Sequence, residues 1–252
     1  MALQDYQTAL VTGASSGIGA ATARLLARRG LAVHAVARRQ ERLAALAGPE
    51  DGAGVIIPYG LDLRDRGAIY EVLGALDIDI LVNCAGIGSR FDPFHELDPD
   101  NIDATLETNV GGTVHAVRAV SPGMVARRRG HIVNIGSIFG LHAIGSAVYG
   151  ASKAAVHVLS QDLRHDLKGT GIRVTEVSPG RTDTEIFATM TDDEAAQAAM
   201  AAGFEIITAD DVAAAVVWAL DQPWRVNISL IELTATEQIP GGVSIHPVAG
   251  RG

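Results

Sequence analysis

The sequence predicts an α/β fold in which a single parallel sheet is covered by helices on both faces. Apolar runs of strand length alternate with amphipathic segments from the first residues to about residue 234, and this alternation is typical of β-α-β units. With 252 residues, 48% of them hydrophobic, the chain is long enough for one large domain with a continuous core. We therefore predict one domain over residues 1–236 and a C-terminal extension over residues 237–252.

Seven apolar runs are predicted as strands because they are short, nearly uninterrupted and rich in β-branched side chains. In chain order they are Thr8–Val11, Leu31–Val36, Gly54–Ile57, Ile78–Val82, His131–Ile135, Ile172–Val177 and Ile228–Leu233. Segments with helical periodicity lie between them, among them Ala20–Arg29, Asp65–Leu76, Val148–Leu167 and Ala209–Leu220.

The sequence lacks the features of a membrane or secreted protein. Its longest uninterrupted apolar run, Val212–Leu220, has nine residues, whereas about 20 are needed to cross a bilayer. The first ten residues have neither a basic start nor an apolar core, so they do not resemble a secretory signal. We expect a cytoplasmic protein with no membrane partner.

The composition also narrows the class of partner. A net charge of −9 argues against nucleic acid. The eight histidines are scattered, without a paired C-x-x-C or an H-E-x-x-H pattern, so no metal site is expected. The single cysteine, Cys84, excludes an internal disulfide framework, and its place at a predicted strand end favours packing over nucleophilic chemistry.

A glycine-rich loop follows the first predicted strand, at the sheet edge where ligands gather in such folds. It has the sequence TGASSGIG, with Gly13, Gly17 and Gly19 between a strand and a helix. Glycines allow a tight turn and a close approach to a pyrophosphate, and a helix N-terminus offers free N–H groups. The spacing is neither G-x-G-x-x-G nor that of a Walker A loop. The position of the loop therefore indicates a dinucleotide site more strongly than its spacing.

Two arginines after the second predicted strand indicate which dinucleotide binds. An acidic residue at this place typically holds a free ribose 2′-hydroxyl, whereas arginine suits a 2′-phosphate. Here Arg38 and Arg39 follow Ala37, with no carboxylate beside them, and a guanidinium can bind phosphate oxygens in a forked geometry. We therefore predict NADP(H) in preference to NAD(H).

A tyrosine and a lysine form a candidate acid and base. The chain has two lysines against eighteen arginines, and one of them, Lys153, lies four residues after Tyr149. On a helix this spacing puts both side chains on one face. A phenol has a pKa near 10, too high for a base at neutral pH, and a nearby ammonium would lower it. We expect Lys153, together with the positive ring of the oxidised cofactor, to bring the pKa of Tyr149 down toward neutrality.

Together with further motifs, these residues give the chain a close resemblance to the classical short-chain dehydrogenases/reductases, over nearly its whole length. The motifs are TGASSGIG, NCAG at Asn83–Gly86 in place of the usual NNAG, Asn109, Ser137, Tyr149 with Lys153, and Pro179-Gly180. The resemblance implies a doubly wound Rossmann fold with a seven-stranded parallel sheet in the order 3-2-1-4-5-6-7. It also implies a homotetramer or a homodimer.

The resemblance assigns the cofactor residues. Asp62 would bind the adenine amino group, Asn83–Gly86 would line the adenosine ribose, and Thr182 and Thr184 would hold the nicotinamide carboxamide. The departure at Cys84 puts one hydrogen bond between strands in doubt. The full set is Gly13, Ser15, Ser16, Gly17, Ile18, Gly19, Arg38, Arg39, Asp62, Leu63, Asn83, Ala85, Gly86, Tyr149, Lys153, Pro179, Gly180, Thr182 and Thr184.

By the same resemblance, four residues form the catalytic set. Tyr149 would exchange a proton with the substrate oxygen, and Ser137 would donate a hydrogen bond to that oxygen. Lys153 would bind the nicotinamide ribose as well as tune Tyr149. Asn109 would hold a water beside Lys153 and so complete a proton relay to solvent.

The substrate region is less well defined. Residues from about 185 to 205 match the position of the family's substrate lid, and Arg181, His142 and Arg90 are polar candidates to meet a substrate. We call residues 237–252 the tail. Together with the run from Asn227 to Leu233, the tail resembles the C-terminal extension of NADP-dependent 3-hydroxy acid and serine-type dehydrogenases and of sulfoacetaldehyde reductases. In those enzymes the extension packs against a neighbouring subunit. This suggests a small polar substrate with an anionic end near Arg181 or Arg251.

We therefore predict an NADP(H)-dependent oxidoreductase that interconverts a small polar alcohol and its aldehyde or ketone. One alternative is an epimerase or dehydratase of the extended family, which the short chain disfavours. Another is a nonenzymatic NADP(H)-binding regulator, which usually lacks a catalytic residue, although none is missing here. A reductase of bulkier apolar ketones remains a third alternative.

Overall fold

The computed structural model describes residues 3–50, 54–239 and 241–248, and most of their strands belong to one sheet. The strands of this sheet are β1 (Thr8–Thr12), β2 (Ala32–Ala37), β3 (Gly48–Pro49), β4 (Val55–Gly60), β5 (Ile80–Asn83), β6 (Gly130–Ile135), β7 (Ile172–Pro179) and β10 (Leu230–Leu233). A second, two-stranded sheet pairs β8 (Thr182–Asp183) with β9 (Ile207–Thr208).

The strand order of the large sheet is β10-β7-β6-β5-β1-β2-β4-β3. Seven of these strands run parallel, in the predicted order 3-2-1-4-5-6-7, so the prediction of the fold is confirmed. The prediction of seven strands was one short, because the two-residue strand β3 pairs antiparallel with β4 at the edge. A strand this short has no apolar run by which the sequence could reveal it.

Ten α-helical segments are found in the described ranges, and the longer ones cover the two faces of the sheet. They are α1 (Gly17–Arg28), α2 (Gln40–Ala44), α3 (Arg66–Ala68), α4 (Pro99–Leu106), α5 (Gly112–Arg127), α6 (Ile138–Leu141), α7 (Ala147–Asp166), α8 (Ile186–Met190), α9 (Glu194–Ala201) and α10 (Ala209–Leu220). Short 3₁₀ helices span Leu3–Asp5 and Phe94–Glu96, and π-helical turns span Ile69–Leu73 and Glu107–Gly111. Within these ranges, no helix combines the length and apolar character that crossing a bilayer requires.

Two hydrophobic clusters hold the helices on the sheet. One packs α1 and α10 against one face, with Leu26, Val33 and Val216 fully buried. The other includes Met124 of α5 and Ile132 of β6. Because strand residues alternate between the two faces, both sides of the central strands are buried, and the polar groups at the strand ends are left to form a site.

Candidate active site

A cavity of about 630 Å³ lies at the carboxyl ends of the parallel strands. Most of the residues predicted for the cofactor line it: Gly13, Ser15, Ser16, Gly17, Ile18, Arg38, Arg39, Asp62, Leu63, Ala85, Gly86, Tyr149, Lys153, Pro179, Gly180, Thr182 and Thr184. Ser137 and Arg181 line it as well. The strand ends thus bring together residues that are as far apart in sequence as Gly13 and Thr184.

The glycine loop leaves backbone at the cavity surface. Gly13 has a φ of +68°, which favours glycine, and a Cβ on it would lie 2.7 Å from the Cα of Ala85. The Thr12 hydroxyl accepts hydrogen bonds from the backbone N–H groups of Cys84 and Ala85, each at 3.1 Å. Helix α1 then begins at Gly17 without a side-chain cap from Ser16, so its first N–H groups remain available to an anion.

Five predicted residues in the described ranges are not among those that line the cavity: Gly19, Asn83, Arg90, Asn109 and His142. A Cβ on Gly19 would lie 2.4 Å from the Gly13 carbonyl oxygen, so this glycine closes the turn instead. Asn83 is buried, and its side-chain amide donates to Asn134 Oδ1 at 2.9 Å. These two residues are register partners on β5 and β6, which explains why Asn83 links strands.

His142 and Arg90, which were proposed together with Arg181 to meet a substrate, have their side chains outside the cavity. His142 Nε2 lies 3.1 Å from Glu232 Oε1 on β10. The backbone is extended at His142, where α6 ends, and the imidazole packs against Gly241 of the tail. The guanidinium of Arg90 pairs with Asp192 at 2.8 Å, at the protein surface. Neither residue lines the cavity.

At the end near Ser15 and Ser16, the cavity has a cluster of charges. Arg39 donates to the hydroxyls of Ser15 and Ser16 and, at 2.7 Å, to a carboxylate oxygen of Glu185. Arg42 binds the other oxygen of the same carboxylate. These two arginines hold the pKa of Glu185 down at about 2, so the carboxylate is charged at neutral pH.

Asp62, at the end of β4, is held by a neighbouring arginine. Both of its carboxylate oxygens accept hydrogen bonds from Arg64, with the shortest at 2.7 Å. This contact lowers the pKa of Asp62, and Arg38 adds a smaller effect in the same direction. The side chain is therefore an ionised acceptor at the rim of the cavity.

Tyr149 lies at the other end of the cavity, on the first turn of α7. It is 5% exposed, and its ring meets Phe139 edge to face at a centroid distance of 5.6 Å. Burial raises the pKa of Tyr149 to about 12, and a hydrogen bond with Ser137 opposes this only in part. Ser137 is positioned as the N-cap of α6, where its hydroxyl accepts from the Phe139 N–H.

Lys153 lies one turn along α7, with its ammonium buried. Its Nζ donates to the Ile135 carbonyl at 2.9 Å and lies 5.9 Å from the centre of the Tyr149 ring. Burial lowers the pKa of Lys153 to about 8, although Cys84 and Glu176 nearby raise it. The predicted lowering of the Tyr149 pKa is not seen in the structure, because desolvation of the phenol outweighs the hydrogen bond with Ser137.

Asn109 lies behind the cavity, in the π-helical turn before α5. Its Oδ1 accepts from the Ile87 N–H at 2.8 Å, and its Nδ2 donates to the Ile87 carbonyl and to the Ser152 hydroxyl. A Cβ on Gly86 would lie 3.3 Å from Asn109 Oδ1 and 3.5 Å from Lys153 Nζ. Asn109 and Lys153 therefore flank the same glycine.

Cys84 also lines the cavity, and its thiol is a free one. Burial raises its pKa to about 12, with a smaller opposing effect from Lys153. A buried thiol of this kind stays protonated and unreactive, in agreement with a packing role.

Helix α8 and the strand end after β7 form one wall of the cavity. Residues 186–190 of α8 line the cavity, and Thr189 Oγ1 accepts from the Gly88 N–H at 2.7 Å. The backbone N–H of Arg181 donates to Gln238 Oε1 of the tail at 3.0 Å. The tail thus packs against the site of its own chain. Arg251 lies outside the described residues.

Several site residues were missed from the sequence. Arg42 follows Arg39 by three residues, on the same face of α2, so this signal was available. Ser152 similarly lies three residues after Tyr149. Glu185 directly follows Thr184 and Phe139 lies two residues after Ser137, so their positions were a signal as well. No local signal indicates Gln238, because it reaches the site from the tail.

Comparisons with known proteins agree on one family. The sequence profile described as short chain dehydrogenase matches residues 7–195. The chain is 40% identical over 246 residues to a protein of Escherichia coli (strain K12) named NADP-dependent 3-hydroxy acid dehydrogenase YdfG. The match covers 94% of this chain and 98% of that protein.

Solved structures show the same likeness. The closed form of a serine dehydrogenase complexed with NADP+ superimposes with a TM-score of 0.88 at 38% identity, covering 95% of this chain and 99% of that one. A short-chain dehydrogenase from Sphingobium yanoikuyae in complex with NADPH gives a TM-score of 0.77 at 33% identity, covering 89% and 87%. In sequence and in fold, this chain belongs to the short-chain dehydrogenase family.

Proposed function

We propose that this protein is an NADP(H)-dependent oxidoreductase that interconverts a small polar alcohol and its aldehyde or ketone. The observation that supports this most strongly is a single cavity with arginines at one end and the buried Tyr149 phenol at the other. Relatives named as NADP-dependent, or solved with NADP+ or NADPH, support the choice of cofactor.

The residues fit a phosphorylated dinucleotide. The bare backbone at Gly13 leaves room for a pyrophosphate against the N-terminus of α1. Arg38 and Arg39 would meet the 2′-phosphate, Asp62 the adenine, Lys153 the second ribose, and Thr182 and Thr184 the carboxamide. When bound, NADP(H) supplies or accepts the hydride.

Tyr149 is the group that we assign to proton transfer at its Oη atom. With a pKa of about 12, the phenol is protonated at neutral pH, so it is ready to act as the acid when a carbonyl is reduced. Its ring is fixed by Phe139 and its hydroxyl by Ser137. We propose that the Ser137 hydroxyl also donates to the substrate oxygen, as an oxyanion donor does.

Lys153 and Asn109 would return the proton to Tyr149 from solvent. A lysine whose pKa is about 8 can both gain and lose a proton near neutral pH. Asn109 Oδ1 and Lys153 Nζ lie 3.3 and 3.5 Å from the position that a Cβ on Gly86 would take, and we propose that a water bridges these two atoms. Both residues are buried, so this route excludes bulk solvent from the reacting atoms.

For the substrate, we propose a small hydroxy acid or a similar anion. Arg181 lines the cavity beside α8, and its guanidinium has a long contact of 3.4 Å to the Met200 carbonyl, which an anion could replace. The relatives named for 3-hydroxy acid and serine oxidation support this class. The apolar side chains Phe139, Phe187 and Met190 also line the cavity and favour the alternative, a bulkier apolar ketone.

We further propose that residues 185–205 form a lid over the substrate, since α8 covers the cavity and contacts Gly88 through Thr189. A cytoplasmic homotetramer or homodimer is the assembly that we propose. The tail after residue 236 would then serve both its own site and a subunit interface.

Replacement of Tyr149 by Phe tests the reaction directly. We expect turnover of aldehydes and hydroxy acids to fall at least about a hundredfold, as loss of a general acid does, while the Kd for NADPH stays within about twofold. Tyr59→Phe is the matched control, because the Tyr59 hydroxyl bonds His34 and does not line the cavity.

The assay should compare hydroxy acids, uncharged alcohols and bulky ketones as substrates. Each is tested with NADPH or NADP+ and with NADH or NAD+. Undiminished turnover by Tyr149→Phe would refute the proton-transfer assignment. Tight NADPH binding without turnover of any substrate would favour the nonenzymatic regulator instead.

A further inference from the structure

Glu185 is the first residue of the segment proposed as a lid, and its carboxylate lies in the cluster of arginines at the opposite end of the cavity. Arg39 and Arg42 come from α2 and the loop before it, 146 and 143 positions away in sequence. Each arginine binds a different oxygen of the carboxylate. The contact ties the start of α8 to the cofactor side of the protein.

The groups around this carboxylate are those of a phosphate site. Two guanidiniums and the hydroxyls of Ser15 and Ser16 converge on one spot, and all four residues line the cavity together with Glu185. Forked guanidiniums with nearby hydroxyls suit the three oxygens of a phosphate monoester better than the two of a carboxylate. Arg38 adjoins them and has no hydrogen bond to any described residue.

A phosphate and Glu185 cannot share these donors without repulsion. A phosphate monoester bears about 1.5 to 2 negative charges at pH 7, and the pKa of Glu185, held at about 2, keeps its carboxylate ionised as well. The contacts to be exchanged are weak ones, because the side chains of Arg39 and Glu185 are 46% and 47% exposed. A phosphate dianion can therefore displace the carboxylate at a small cost in free energy.

We infer that Glu185 is a specificity residue whose carboxylate competes with the cofactor's 2′-phosphate for Arg39 and Arg42. This inference rests on the proposed binding of NADP(H). A dinucleotide with a 2′-phosphate displaces Glu185 and frees the start of α8 from the arginines. A dinucleotide with only a 2′-hydroxyl has no charge with which to displace it, so the ion pairs persist and α8 stays tied.

The test measures binding of two fragments, adenosine 2′,5′-bisphosphate and AMP, by calorimetry to the full chain. We expect Glu185→Gln to lower the Kd of the bisphosphate about three- to tenfold, the effect of removing two exposed competing ion pairs. The Kd of AMP should change less than about twofold. Glu194→Gln is the control, because Glu194 is an exposed acid on α9 that does not line the cavity.

Each other outcome has one meaning. If Glu185→Gln leaves the Kd of the bisphosphate unchanged, or tightens AMP equally, then the competition does not occur. If the variant binds the bisphosphate more weakly, Glu185 orders the arginines rather than competing with the ligand, and the inference is likewise wrong. If the natural chain does not prefer the bisphosphate to AMP, the proposed cofactor preference fails first, and the inference fails with it.

Discussion

At the scale of single residues, burial sets the protonation of Tyr149 and Lys153. The phenol and the ammonium both lie nine-tenths or more out of water, at 5% exposure each. Desolvation disfavours the charged form of each group, so the pKa of Tyr149 rises to about 12 and that of Lys153 falls to about 8. At neutral pH the phenol is therefore uncharged, whereas the lysine is still mostly protonated but close to its titration.

Lys153 should make the stability of the protein depend on pH. Its pKa falls from 10.5 to about 8 on folding, so between these values the unfolded chain binds a proton that the native chain does not. The lysine's contribution to the free energy of unfolding should therefore rise with pH, by on the order of 3 kcal/mol across the window. Above pH 9 the Cys84 thiol, whose pKa rises from 9.0 to about 12 on folding, acts in the opposite direction. Urea unfolding of the natural chain and of Lys153→Met, from pH 8 to 9 without dinucleotide, therefore measures the effect of the lysine.

The other lysine of the chain provides the control. Lys168 is exposed beyond the end of α7, so Lys168→Met should keep the slope of the natural chain while Lys153→Met flattens it. Equal slopes for the two variants would contradict the lowered pKa of Lys153.

The sequence was most informative where a residue's role depends on its neighbours along the chain. The spacing of Tyr149 and Lys153 on one helix correctly predicted that both would line one cavity. It did not predict that burial raises the pKa of Tyr149, because burial depends on the whole packed structure. The contact of Glu185 with Arg39 was missed for the same reason, since only folding brings the two residues together.

At the scale of elements, the π-helical turn at Glu107–Gly111 positions a polar side chain inside the protein. The extra residue in a π-helical turn changes the direction of the side chains that follow, and such turns are frequent at functional sites. Here it places Asn109 between Ile87 and Ser152. Helical periodicity alone could not predict this turn, because its residues still read as part of a helix.

Replacement of Asn109 by Ala should test how firmly this turn is held. The change removes three hydrogen bonds and leaves buried partners unsatisfied, so we expect a loss of about 3 kcal/mol in the free energy of unfolding. Thr113→Val removes one buried hydrogen bond, from Thr113 Oγ1 to the Asn109 carbonyl, and should cost about 1 kcal/mol. Denaturant unfolding of both variants measures the two values. Equal losses would show that the Asn109 amide adds nothing beyond a single hydrogen bond.

At the scale of the whole molecule, the tail is joined to the cofactor site through Gln238. This side chain is 2% exposed, accepts from the Arg181 N–H at 3.0 Å and donates to the Gly242 carbonyl at 3.1 Å. The strand order was predictable because alternating β-α units allow few topologies. The path of the tail was not, because it has no periodic pattern and depends on contacts with distant segments, such as those of Gln238 with Arg181 and of Glu237 with Glu205.

Replacement of Gln238 by Ala should therefore weaken NADPH binding, because it releases the strand end at Pro179–Arg181 that lines the cavity. We expect the Kd to rise about fivefold, consistent with the loss of about one net hydrogen bond. Gln222→Ala is the control, since the Gln222 amide donates to the Trp218 carbonyl four residues earlier. A fluorescence titration with NADPH measures both, and an unchanged Kd in Gln238→Ala would rule out support of the site by the tail.

The short strand β3 has a consequence for the protein at high concentration. An exposed sheet edge has unpaired N–H and C=O groups that can recruit a strand from another molecule. Here β4 is covered by only two residues, and one of them, Pro49, has no N–H to offer. Strand β3 is therefore a poor template for a further strand, and where it covers β4 it protects the folded protein against edge-to-edge aggregation.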